Sequence, residues 1–144
     1  MKVDVMPTDS AILGFSNRWY AAAMLSAQNM RLPAGIDIRM VTAPFFLATK
    51  LEAFYGRGNG DYMVSHDLED MIAVLDGRAS IVSEVGNSGE VGLSLAEAFQ
   101  RLLVLDAFHD ALPCHLPADA ASQRRAPVVL QRMSDIRNMG LRRE

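Results

Sequence analysis

Cysteine is almost missing from this chain: Cys114 is the single one in 144 residues. An intrachain disulfide is therefore excluded, and such usage suits a reducing compartment. No apolar run reaches the roughly 20 residues that a membrane-spanning helix needs. The first residues also lack the basic and apolar regions of a signal peptide, so a cytoplasmic protein is expected. Positive charge is not in excess, with 14 Lys and Arg against 17 Asp and Glu and a net charge of −3. No overall basic field recruits nucleic acid, and any phosphate binding has to be local. Arg132, Arg137, Arg142 and Arg143 do make a basic finish, read as a solvated helix face. His109, Cys114 and His115 lack a fourth zinc ligand and a zinc-finger spacing. No Ser-His-Asp spacing, nucleic-acid motif, internal repeat or linker is visible.

Apolar residues make up half of the chain and charged residues 22%, the balance of one globular domain with a real core. Residues 1–6 alternate Val3 and Val5 with Lys2 and Asp4 and read as a short strand. Asn17 to Arg31 reads as a helix with Trp19, Ala23 and Ala27 on one side, closed by Pro33 and Gly35. Ile36 to Val41 is a second strand, with Ile36, Ile38 and Met40 facing one way. Val91 to His109 keeps a helical period through Val91, Leu95, Ala98, Leu102 and Leu105, widened by Phe99 and Leu103. A loop bounded by Pro113 and Pro117 carries Cys114 and His115. The last helix begins near Ala120 or Pro127 and runs to about Met139, with Val129, Met133 and Ile136 inward and Pro127 kinking or dividing it. The expected fold is α+β: one mostly helical domain, with a sheet remnant of about two strands and one helix over 1–43 and a helical part over 44–144.

The most informative run is PFFLATKLEAFYGRGNGDYMVSHDLEDMIAVLDGR, Pro44 to Arg78. It reads as helix, glycine turn, helix. Pro44 suits a first helical turn, where its missing N–H costs nothing. Gly56, Gly58 and Gly60 are expected to stop the first helix and allow positive φ. Ser65 is the candidate cap of the second, with Asp67, Glu69 and Asp70 in or near its first turn. Leu68, Met71, Ile72 and Leu75 form its buried face, and Gly77 ends it. Lys50, Arg57, Asp61, His66, Asp67 and Asp70 are thus gathered around one short turn between two apolar faces. That much charge beside a core marks a site candidate. The plainer readings stand beside it. Lys50 serves as a surface lysine whose stem covers Phe46 or Phe54. Asp67 and Asp70 serve the helix start, His66 caps or orients the turn, and GRGNGD is a helix stop rather than a phosphate cradle.

ATKLEAFYGRG followed by GDYMVSHDLEDMIAVLDGR resembles the second half of the catalytic region of bacterial nucleotidyltransferases of the DNA polymerase β-type superfamily. These are related to the AbiEii-type toxins of type IV toxin–antitoxin systems. VDVMP and ILGFSNRWY before the run, and SIVSEV and LP..AASQRR after it, extend the resemblance over most of the chain. It implies transfer of a nucleotidyl group from an NTP to a hydroxyl acceptor such as RNA, with Mg²⁺ held by three carboxylates. Asp4 matches the third carboxylate and is the implied catalytic and metal-binding residue. From the residues alone it is a solvent-facing position on an edge strand. Lys50 matches the family's nucleotide-facing lysine, and Arg57 adds a second phosphate-binding charge. Asp61, Asp67 and Asp70 match acidic positions that anchor these cations or bind base or ribose. The family's Gly-Ser helix start and D-x-D pair have no counterpart before Asp4. The expectation is therefore an N-terminally truncated, nucleotidyltransferase-like chain without self-sufficient activity. The alternative is a non-catalytic helical interaction module that pairs with a second copy or with a partner chain supplying the missing half.

Overall fold

The structure, a computed structural model, describes residues 11, 16–57 and 60–141, the side chains of Arg57 and Leu141 excepted. The strand expected over residues 1–6, with Asp4, lies outside them, as do Arg142 and Arg143. In chain order come α1 (Tyr20–Leu25), β1 (Gln28–Arg31), β2 (Asp37–Met40), α2 (Ala43–Arg57), α3 (His66–Gly77), α4 (Ile81–Gly86), α5 (Glu90–Leu102), α6 (Asp106–Ala111), a 3-10 turn (Leu112–His115), α7 (Ala120–Gln123) and α8 (Ala126–Leu141). This is the expected mostly helical α+β domain.

The helix expected over Asn17–Arg31 is not formed as such. It stops at Leu25, where the Ser26 hydroxyl donates back to Ala22 O at 2.8 Å. Gln28–Arg31 instead pairs antiparallel with Asp37–Met40, Met30 opposite Ile38. The Leu-Pro-Ala-Gly turn forces this reversal. Gly35 N–H donates to Leu32 O at 2.8 Å with Gly35 at φ 79°, and Leu32 N–H donates to Ile36 O at 2.8 Å. A type I turn with a left-handed glycine after it is a standard three-residue hairpin loop. Cross-strand pairing outweighs the helix propensity of QNMR, in which Gln, Met and Arg are good helix formers and only Asn is not.

The second departure is at Leu103–Leu105. The helix expected to run to His109 breaks there, with Leu105 extended and 39% exposed rather than inward. On one continuous helix Phe108 would point roughly 120° away from Leu102. The break lets both reach the core at 0% exposure. The loop expected at Cys114 and His115 is a 3-10 turn. Pro127 sits at the second residue of α8, and a separate short α7 precedes it, so the terminal helical region is divided.

The core is built by α5 against α8 and by the α2–α3 hairpin beside them. Leu68, Met71, Ile72 and Leu75 of α3 and Val129, Met133 and Ile136 of α8 are all buried, as their spacing predicts. Two arginines fasten the end of α3 to α8. Arg132 donates to Leu75 O and Asp76 O at 2.6 and 2.5 Å, and Arg125 pairs with the Asp76 carboxylate at 2.5 Å. The last carbonyls of a helix lack intrahelical partners, and positive charge suits that end. Arg132→Met is expected to lower stability by about 1–2 kcal/mol. An unchanged urea midpoint would refute this clamp. Beyond α3, Arg78 donates two hydrogen bonds to Glu84 at 2.6 and 2.7 Å, which holds the Glu84 carboxyl below its ordinary pKa.

Candidate functional site

α2 begins where Thr42 O accepts the Phe46 N–H. Leu47, Leu51 and Phe54 on one stripe are buried, which leaves Lys50 on the flank that faces α3. The helix does not stop at Gly56 but runs through Arg57. The cost of an interior glycine, about 1 kcal/mol, is offset by burial of Ala53 and Phe54 in the same turn. Gly60, at φ 70°, supplies the left-handed step of the turn. The Asp61 carboxylate then accepts from the N–H groups of Met63 and Val64 at 3.0 and 3.3 Å, an Asx turn. The Ser65 hydroxyl accepts the Leu68 N–H at 3.2 Å and starts α3.

These constraints place Asp67 and Asp70, three residues apart on one helix face, directly across from Lys50. Lys50 Nζ lies 2.6 Å from Asp70 Oδ2 and 3.5 Å from Asp67 Oδ1. The ammonium also stands 5.5 Å from the centroid of the Phe46 ring, within cation–π range. The lysine side chain is 22% exposed, Asp67 11% and Asp70 48%. One carboxylate is therefore largely buried while the other is half exposed. Among the carboxylates, Asp61 shapes the turn, whereas Asp67 and Asp70 meet Lys50. The Arg57 side chain lies outside the described residues, so its approach to Lys50 does too.

His66 is at the surface, with its Nδ1 3.1 Å from Glu69 Oε2 on its own helix. The ring that meets the turn backbone is His115, whose Nε2–H donates to Tyr62 O at 2.6 Å. Nothing in local spacing pointed to His115, because its partner is 53 residues away. Beside it, Phe54 packs on Tyr62 at 5.1 Å and on Tyr55 at 5.2 Å. Partial burial, and then the neighbouring Tyr62 phenol, raise the pKa of Tyr55 against the opposing pull of Arg101. Its hydroxyl stays neutral at physiological pH.

Among the described residues no group of three or more His, Cys, Asp or Glu is arranged to hold a metal ion. Asp67 and Asp70 converge on an ammonium, so their oxygens do not form the hard, all-oxygen shell that Mg²⁺ requires. Asp4, the implied metal-binding residue, lies outside the described residues. What the arrangement offers is one ammonium held between two carboxylates on the facing sides of a helix hairpin, a mobile point charge that can exchange partners. No helix of the described residues is long and apolar enough to cross a membrane. Comparison of the chain with family models, curated proteins and solved structures gives no match.

Proposed function

We propose that this chain is a cytoplasmic, nucleotidyltransferase-like protein whose α2–α3 hairpin binds the phosphates of an NTP through Lys50. The observation that carries this reading is the Lys50–Asp67–Asp70 cluster, which falls on the segment resembling polymerase β-type nucleotidyltransferases. Asp67, nearly buried, holds the lysine in position. Asp70, half exposed, is the partner that a phosphate displaces. A phosphate oxygen taking the place of Asp70 keeps the ammonium paired throughout, so binding does not require a bare charge in a partly buried site. The 144 residues contain no D-x-D pair, so the reading assigns nucleotide binding, not turnover, to this chain.

The test is calorimetric titration of the full chain with each NTP. Lys50→Met, which keeps the apolar stem over Phe46, should weaken binding at least ~10-fold, or about 1.4 kcal/mol. Asp70→Asn, which removes the rival anion, should tighten binding. Unaltered affinity in both variants, or no NTP binding by the parent chain, would sink the reading. Robust label transfer to an RNA acceptor by the chain alone would show that the catalytic assignment is too narrow.

A further inference from the structure

The β1–β2 hairpin has one charged face and one apolar face. Asn29, Arg31, Asp37 and Arg39 fall on the first, and Met30, Ile36, Ile38 and Met40 on the second, by strand alternation. Met30, Ile36 and Met40 are exposed by 41%, 58% and 40%. Among the described residues the sheet ends at these two strands, and a two-stranded hairpin alone is marginal.

The turn and the register together fix the hydrogen-bond phase of β2. Leu32 N–H donates to Ile36 O, so Leu32 and Ile36 form a hydrogen-bonded pair. Such pairs alternate in an antiparallel ladder, and with the observed register Met30–Ile38 and Gln28–Met40 are bonded likewise. The N–H and C=O groups of Ile38 and Met40 therefore point at β1. Those of Asp37 and Arg39 point out from the free edge, where the described residues give them no partner.

We propose that this edge pairs with itself: two copies of the chain join β2 to β2 antiparallel, on a two-fold axis through Ile38. The outward groups fix which registers are allowed, since Asp37 and Arg39 must be the bonded positions. A symmetric ladder centred within the strand then falls on Asp37, Ile38, Arg39 or Met40, and the last bonds Arg39 to Val41, beyond the strand, and leaves Asp37 without a partner inside it. Centring on Asp37 sets that carboxylate against its own copy, and centring on Arg39 does the same with the guanidinium. Like charges directly opposite destabilise a ladder. Centring on Ile38 sets Asp37 against Arg39 of the second copy, twice, and each such pair exchanges two backbone hydrogen bonds. It also aligns Ile38 with Ile38, and Ile36 with Met40, which joins the exposed apolar faces into one stripe. The side chains are free to comply. Asp37 is 70% exposed and its contact with Arg31 is long, at 3.7 Å. Arg39 uses Nη2 on Met24 O and Ala27 O, leaving Nε and Nη1 for a carboxylate.

The partner inferred is thus a second copy, and the inference is independent of the nucleotide reading. The test is sedimentation equilibrium of the full chain with two charge reversals. The parent should be a dimer that dissociates on dilution. Asp37→Arg and Arg39→Asp should each be monomeric, because each creates two like-charge pairs. Mixed in equal amounts, the two variants should form a heterodimer, since every Asp–Arg pair is restored across the axis. Circular dichroism melts show whether each variant folds, and recovery on mixing also excludes misfolding as the cause of the lost dimer. A parent chain monomeric at its highest soluble concentration overturns the proposal. So does a single variant that stays dimeric, or a mixture of folded variants that stays monomeric. Slow hydrogen exchange at the Asp37 and Arg39 amides of a monomer would show an occupant from the same chain, and overturns it equally.

Discussion

Phe99→Ala is expected to remove about 3–5 kcal/mol of stability. Phe99 lies on α5, the helix that packs most extensively on α8 and also touches α2. Its side chain is fully buried, and it sits in one cluster with Leu47, Phe54, Leu95, Met133 and Ile136. Truncation would remove a fully buried ring from this cluster. A domain of this size is stable by roughly 5–15 kcal/mol, so the variant is left near its folding threshold. Urea unfolding followed by circular dichroism measures the loss, with a slope close to that of the parent. Val104→Ala, at a position 74% exposed, is the control and should stay within about 0.5 kcal/mol. A loss below about 1 kcal/mol for Phe99→Ala would mean that the α5–α8 interface does not carry the fold.

The parts of the fold that were legible in the sequence are those where one physical rule acts locally and without a rival. Ser65 is followed by acids and then by an apolar stripe at helical spacing, and α3 starts and buries as that pattern requires. Val129, Met133 and Ile136 behave the same way in α8. Lys50, Asp67 and Asp70 stand out as charges beside apolar stripes, and the helix hairpin brings Lys50 within 3.5 Å of Asp67 and 2.6 Å of Asp70. Elsewhere two local signals compete or the decisive partner is distant in the chain. Residues 28–31 lean towards helix through Gln28, Met30 and Arg31, and the glycine turn that follows overrides this by offering them a strand to pair with. Leu105 continues the periodic stripe of α5, yet the chain breaks before it so that Phe108 can reach the core. His115 and Arg132 bond to backbone carbonyls 53 and 57 residues away. A carbonyl that needs a donor leaves no mark in the sequence.

Gly92→Ala should destabilise the protein by about 1–3 kcal/mol, although helix propensity alone predicts the opposite sign. Gly92 is in the first turn of α5, and alanine in a helix interior is favoured over glycine by about 1 kcal/mol. The surroundings decide against it. α4 ends at Gly86, and the chain turns through Asn87, Ser88 and Gly89 before α5 begins at Glu90. Val85 O accepts the Ser88 N–H at 3.1 Å and the Ser88 hydroxyl at 2.7 Å, which fixes it over the start of α5. A Cβ on Gly92 would collide with that carbonyl oxygen and lie 2.8 Å from Ser88 Oγ. A serine rotamer can swing away, but the carbonyl belongs to the backbone of α4, and moving it disturbs Val85 and Ile81 in the core. The steric cost therefore exceeds the propensity gain. Gly77→Ala separates the two effects, because nothing lies within 4 Å of a Cβ there. It should be neutral or stabilising by up to about 1 kcal/mol. Thermal melts of the two variants side by side decide the matter: if both shift upward together, close approach between α4 and α5 is not what selects glycine at position 92.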